Sequence, residues 1–276
     1  MAGKIKSGLE LSKQSWSALG QNRQLIVFPI ISGIGMIVVT ILFFIPEAFA
    51  FRPILGAEDP TAMQWIIALL SLFFYYLVAS FLITFSNTAL VGAAVKTIRG
   101  EPATVGDGIS VALSRLAKII VYSLISATVG VIARGIAQSG RQSDNAIVAI
   151  LAAVLGTLIQ GAWSLLVFFA IPVMVVENIG VRASLKRSFE LFKQTWGEGF
   201  VGRTAIGGIS CLVMLAVLVI GGGIIAVGAL VESVALMIAG GVLLILGLVV
   251  ISLLNGEVNG IFQASMYNYA TTGDAG

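Results

Sequence analysis

The chain has 276 residues, of which 58% are hydrophobic and only 11% charged, with a formal net charge of +3 and a mean hydropathy of +1.04. A soluble domain carries about 25% charged residues, so this chain has too few charges to cover a water-facing surface and is expected to be solvated by lipid. Histidine is absent and Cys211 is the single cysteine. This removes the commonest general base, metal ligand and near-neutral switch, along with intrachain disulfides and thiolate zinc sites.

The uncharged stretches between charged residues mark six spans in chain order: 24–46, 60–95, 119–133, 145–176, 204–231 and 233–256. A crossing helix needs about 20 residues at 1.5 Å each. The third stretch is too short by itself. It is predicted to continue past Arg134 through residues 135–140, with Lys118 and Arg134 snorkelling to opposite headgroup layers. The first stretch is followed by Ala48-Phe49-Ala50, which looks like a signal-peptidase site. Its apolar run exceeds the roughly 7–15 residues of a signal h-region, so an uncleaved helix is expected. Cys211 falls in an apolar run, where inert packing is the expectation.

Charge sets the expected orientation. With the N-terminus inside, the inner segments carry Lys4, Lys6, Lys13 and Arg23, then Lys96, Arg99, Arg115 and Lys118, then Arg182, Lys186, Arg187, Lys193 and Arg203. Only Arg52, Arg134 and Arg141 remain outside. The positive-inside rule then predicts both termini in the cytoplasm of a cell-membrane protein. This bias also accounts for the basic pI, with no need for a nucleic-acid partner.

An internal similarity organises the chain. Residues 9–16 (LELSKQSW) and 189–196 (FELFKQTW) are identical at five of eight positions, and such self-similarity reveals the building block. Each copy reads as an amphipathic helix, with Ile5, Leu9, Trp16 and Leu19 on one face of the first and Val181, Leu185, Phe189, Phe192 and Trp196 on one face of the second. A weaker third copy is read at residues 108–118 (GISVALSRLAK). The predicted fold class is therefore all-α, a polytopic membrane helix bundle. Its six transmembrane helices form three parallel repeats, 1–103, 104–178 and 179–276, each an interfacial amphipathic helix plus a hairpin, within one membrane domain over 1–276. Basic amphipathic helices of this kind lie in the membrane interface or pack on the protein's own inner surface.

The second span of each unit carries an amide before a small residue, at Asn87, Gln160 and Asn259, and Asn255, Asn259 and Gln263 recur every four residues beside Glu257. These side chains are either hydrogen-bonding glue between helices, with the glycines of 256–260 allowing close approach, or the lining of a polar path open to the cytoplasm. Arg134 is the ionisable residue expected deepest on the outer side, with Asp144, Glu47 or Glu232 as partners or with simple snorkelling. The triplet at 221–223 and the pair at 240–241 are expected to mark tight packing in the last hairpin.

Catalytic patterns are missing. Without histidine there is no Ser-His-Asp triad and no His-Glu-x-x-His zinc site, and no Walker lysine follows a glycine loop. Glu177, Glu257, Glu101 and Asp107 are the inner-face carboxylates whose approach to one another would form a metal or acid–base site. No enzyme, cofactor or metal is expected.

The run Ile171-Pro172, then Val176-Glu177-Asn178, then residues 183–189 (ASLKRSF) resembles a pattern in prokaryotic six-helix membrane families. These include relatives of the membrane domain of some glycerophosphodiester phosphodiesterases. The resemblance implies the six-helix fold. No phosphodiesterase domain is present, so that activity is not implied.

The residues together point to a non-enzymatic membrane protein that organises lipids or partner subunits, as a homo-oligomer or in a membrane complex. Trp16, Arg182, Lys186, Arg187, Lys193 and Trp196 are the expected contacts to anionic headgroups or a partner. The alternative is a channel or transporter for a small solute or lipid, with Asn87, Gln160, Asn255, Glu257 and Asn259 along its inner half.

Overall fold

A computed structural model of the chain describes residues 2–21, 23–55, 61–98, 101–141 and 145–273, with side chains at 6–17, 24–43, 61–97, 101–140 and 145–273. The described residues are helical, with no strand among them. In chain order they form α1 (Ala2–Gln21), a 3-10 turn (Arg23–Ile26), α2 (Val27–Leu55), α3 (Ala62–Ile98) and α4 (Val105–Ser114). There follow α5 (Leu116–Arg141), α6 (Ala146–Leu166), α7 (Ala170–Val176), α8 (Val181–Leu230) and α9 (Val234–Thr272).

Six segments are long and apolar enough to cross a membrane: Gln24–Phe43, Ala62–Thr97, Leu116–Gly140, Ala146–Val176, Val181–Leu230 and Val234–Thr272. The third extends beyond Arg134 as its short uncharged stretch requires. Large apolar side chains cover the outward faces, among them Leu212, Val219, Leu155 and Ile245. A surface of that kind needs hydrocarbon around it, so this is a multi-pass membrane protein. Cys211 belongs to this outward surface, exposed on α8, and is not the packed core cysteine that its apolar setting suggested. Helix periodicity decided this, since α8 buries only a narrow face there.

Three hairpins, α2–α3, α5–α6 and α8–α9, make up the bundle; α3 touches α2, α5, α7 and α9, and α1 lies against α8 and α9. Glycines permit the closest approaches. A Cβ at Gly8 of α1 would lie 2.7 Å from the Glu198 carbonyl oxygen of α8, and one at Gly240 of α9 would lie 2.8 Å from the Gly221 carbonyl oxygen. Gly222, Gly223 and Gly241 face open space, so one glycine of each expected cluster does the packing. The same division separates Gly260, which meets Leu90 of α3, from the open Gly256.

The fourth span departs from the single helix read in the sequence. It breaks at Val167–Phe169 into α6 and α7. Pro172 explains the position: it has no N–H for the Phe168 carbonyl and its ring crowds that carbonyl, one turn upstream. The break leaves the Phe169 N–H without its helical acceptor, and this amide donates instead to Ser188 Oγ of α8 at 2.8 Å, fully buried. Phe168 and Phe169 sit edge to face, and Phe169, Phe262, Leu90, Ile119 and Met174 form the centre of the core.

α8 also bends. At about 75 Å a straight 50-residue helix would be more than twice as long as the hydrocarbon core is thick. Thr195 leaves helical geometry (φ −119°, ψ 17°) while its hydroxyl donates to the Leu191 carbonyl at 2.9 Å. In α1, the hydroxyl of Ser15 donates to the Leu11 carbonyl at 2.7 Å. Leu11, Ser15, Leu191 and Thr195 are all buried.

α4 begins with a capping box. The Asp107 amide donates to Thr104 Oγ1 at 3.2 Å, and Asp107 Oδ2 accepts from the Thr104 amide at 2.8 Å. Its inner face, Gly108 and Ala112, packs on α2 and α3 through Phe28 and Ala89. The helix read at 108–118 therefore ends early, at Ser114. Arg115 (φ −112°, ψ 11°) turns the chain into α5, and its guanidinium donates to the Val175 carbonyl at 3.4 Å.

Two predictions follow from these contacts. Ser188→Ala strands a buried backbone donor and is expected to cost about 1–3 kcal/mol of stability in thermal unfolding of the detergent-solubilised protein. Ser164→Ala, whose exposed hydroxyl only bonds its own helix, should leave the transition in place, and equal effects would refute the assignment. Asp107 has its carboxyl pKa lowered to about 2, first by the Thr104 amide, then by the Thr104 hydroxyl and Lys96 at 3.1 Å. A depressed folded-state value means that its stabilisation is complete above the unfolded value, about 4, and disappears as pH falls through about 2. The stability difference between wild type and Asp107→Asn should therefore shrink between pH 4 and pH 2, and a pH-independent difference would contradict the cap.

Candidate functional site

Charged side chains concentrate where the α4–α5 and α7–α8 connections meet. Lys118 Nζ, one turn into α5, donates to both the carbonyl and the side-chain oxygen of Asn178 at 2.6 Å. Asn178 adopts a left-handed conformation, φ 54°, and asparagine tolerates that region better than most residues. Arg115 and Lys118 thus hold the exit of α7 from a point 60 residues earlier in the chain.

Glu177 is a second junction. Its Oε1 accepts from Arg187 Nε at 3.3 Å and from the Tyr267 hydroxyl at 3.0 Å, joining the end of α7 to α8 and α9. Arg187 also approaches Glu190, at 3.9 Å. The four cations read along the start of α8 therefore separate. Arg187 is neutralised by carboxylates, whereas Arg182, Lys186 and Lys193 are exposed, and Lys193 lies over the Phe189 ring at 4.7 Å. The two tryptophans differ as well. Trp196 is 60% exposed, while Trp16 is half-buried against the core.

Arg182 and Lys186 line a groove with Lys118. Its walls are completed by Ala117, Val121 and the first turn of α8, and it holds about 800 Å³. The N-cap of α8, Gly180, offers no side chain to the helix's first amides.

The intramembrane polar residues fall in three places. Asn87 and Asn259 line one cleft of about 520 Å³ between α2, α3 and α9, with Ser86, Ser252 and Gln263. Asn255 joins them through Asn259, whose Nδ2 donates to the Asn255 backbone and side-chain oxygens at 2.8 Å. Gln160 and Arg134 border a separate cleft of about 560 Å³ between α3, α5 and α6. There the Arg134 guanidinium stacks over the Tyr76 ring at 4.9 Å. Asp144 and the Glu47 side chain, two partners suggested for Arg134, lie outside the described residues. Glu257 lines neither cleft. Two residues from Asn259, it points about 200° away around α9 and is fully buried, with no hydrogen-bond partner for either carboxylate oxygen among the described residues.

The four carboxylates read as one possible cluster thus stand apart, with Asp107 capping α4 and pairing with Lys96, Glu177 joining three helices, Glu257 in the core and Glu101 exposed. Among the described residues no three His, Cys, Asp or Glu side chains come together around a metal-sized site. Tyr267 and Tyr76 are partners that the sequence did not single out, and Lys118 and Ser188 were read there for other reasons than the bonds they make. Each meets its counterpart across 19 to 90 residues of chain, where local pattern gives no signal.

A family of unknown function, DUF6159, has a model that matches residues 66–276, and the chain belongs to this family. No curated protein matches the chain. Nothing in the family match links it to the phosphodiesterase membrane domains that the motif at 171–189 resembles.

The Glu177 junction yields a prediction. Tyr267→Phe removes a hydrogen bond to a carboxylate and should lower the stability of the solubilised protein by about 1–2 kcal/mol. Lys193→Gln, on the exposed side of α8, should leave it unchanged. Unfolding curves for the two variants that superimpose would show that the junction contributes nothing.

Proposed function

We propose that this member of a family of unknown function is a non-enzymatic protein of the cytoplasmic membrane. In this reading it organises anionic lipid or partner subunits from the side where its termini emerge. Six crossings return the chain to the side from which it started, and the positive-inside rule makes that side the cytoplasm. The observation that carries the reading is the exposed basic surface at the start of α8, where Arg182, Lys186 and Lys193 stand free of the carboxylates that neutralise Arg187. Each well-placed cation contributes about 1 kcal/mol at an anionic surface. Three parallel repeats would spread this surface around an axis near the membrane normal. The shared burial of Leu11 with Leu191 and of Ser15 with Thr195 supports that arrangement, as do the matching hydroxyl-to-carbonyl bonds.

The test is the mass of the gently solubilised particle, with its co-purified lipids and proteins identified. Wild type is expected to retain anionic over zwitterionic phospholipid, in a defined oligomer or with a partner. Replacing Arg182, Lys186 and Lys193 by Gln, with Arg187 left intact to preserve the fold, should remove that preference or reduce the particle mass. Unchanged lipid content together with unchanged mass would reject the reading.

One observation favours a second reading, transport of a small solute or lipid. The amide-lined cleft between α2, α3 and α9 would be its path, and Asn259→Leu should then abolish flux in proteoliposomes while the protein remains folded. Glu257 is no part of that path, since it faces away from the cleft.

A further inference from the structure

We infer that the groove formed by Lys118, Arg182 and Lys186 is a discrete binding site for the phosphate headgroup of one anionic phospholipid. This rests on the lipid-organising reading above and gives it a location. The groove brings three cations together from two helices distant in sequence, and no carboxylate is among its lining residues. Lys118 is held in place by its two 2.6 Å bonds to Asn178, which leave one of its three ammonium protons for a ligand. Among the described residues neither Arg182 nor Lys186 has an ion-pair partner. The open first turn of α8 adds backbone N–H donors beside them, since the hydrogen bond from Ser184 to Gly180 is the first that closes this helix.

The apolar wall distinguishes a lipid from a soluble phosphate compound. Ala117 lines the groove beside Lys118, and Val121 lines it nearly one turn further along α5. At helical spacing the same stripe of α5 continues through Leu124 to Thr128, and Val121 and Leu124 are exposed. Lys118 is the third residue of α5, so the cations lie at the mouth of a crossing helix and the stripe descends from them into the span. A phosphate at the cations would place its glycerol and acyl chains along this strip. A free phosphate has no use for it. At about 800 Å³ the groove accommodates one headgroup and the first carbons of its chains.

The experiment is a titration of the lipid-depleted full-length protein in detergent with phosphatidylglycerol or phosphatidylcholine, read by native mass spectrometry. Wild type should bind one phosphatidylglycerol more tightly than any further copy and more tightly than phosphatidylcholine. Arg182→Gln with Lys186→Gln should weaken that first binding by on the order of 20-fold. Arg182→Lys with Lys186→Arg should keep it, Ser164→Ala should match wild type, and Lys193→Gln, outside the groove, should weaken it less than the Gln pair does. A monodisperse elution profile and wild-type helix content for each variant guard against misfolding. If the Gln pair binds phosphatidylglycerol as tightly as wild type, the site is wrong. The broader reading survives that result when the Lys193 variant or the triple variant loses lipid instead. Inorganic phosphate binding the wild type as tightly as the lipid does would also overturn the assignment, in favour of a soluble phosphate ligand. Equal binding of the two lipids by wild type would overturn the site and the lipid-organising reading together.

Discussion

The structure depends on one constraint: inside hydrocarbon, every backbone N–H and C=O must find its partner within the protein. Long helices meet it by themselves, and almost all of this chain is built that way. Pro172 breaks the rule locally, because it cannot donate and its ring displaces the carbonyl one turn back. The repair is tertiary. The Phe169 amide reaches Ser188 at the start of α8, and the break becomes a fixed corner packed by Phe168, Phe169 and Phe192. Through that corner α6 and α7 are joined to α8, and the connection between α7 and α8 is held where the basic groove forms.

Charge is treated differently at each depth. At the mouths of the helices it is paired across the chain, as in Glu177 with Arg187 and Tyr267 or Lys96 with Asp107. These contacts are partly exposed, so each contributes modestly. Their main consequence is positional, since they set the exits of α7 and α3 relative to α8, α9 and α4. Arg134 and Arg203 instead lie over rings, Tyr76 at 4.9 Å and Phe168 at 4.3 Å, and Arg203 Nε is buried with no hydrogen-bond partner among the described residues. A guanidinium suits this role because it is planar and weakly hydrated.

Close packing and polar lining also divide along single helices. On α9, Gly240 and Gly260 approach neighbouring helices. Asn259 and Gln263 open onto a cleft, and Glu257 turns into the core. Residues that look alike in the sequence thus take different roles according to the direction in which a 100° rotation per residue points them.

The sequence by itself determined the class of the protein, the number of its spans and the distribution of its basic residues. These depend on sums over long stretches: apolar length against bilayer thickness, and the count of cations on alternating segments. It also indicated the similar helices at 9–16 and 189–196, because their identities are local. Tertiary structure decided which polar residues share a space. Asn87 meets Asn259 and Gln160 meets Arg134, while Glu257 stands apart from both clefts. It also decided which cations share a groove without a carboxylate, separating Arg187 from Arg182 and Lys186 and adding Lys118 to the latter two. Such pairings are set by how helices cross and rotate against one another, through contacts between residues tens of positions apart. Composition and periodicity fix each helix's faces but not the neighbour each face will meet.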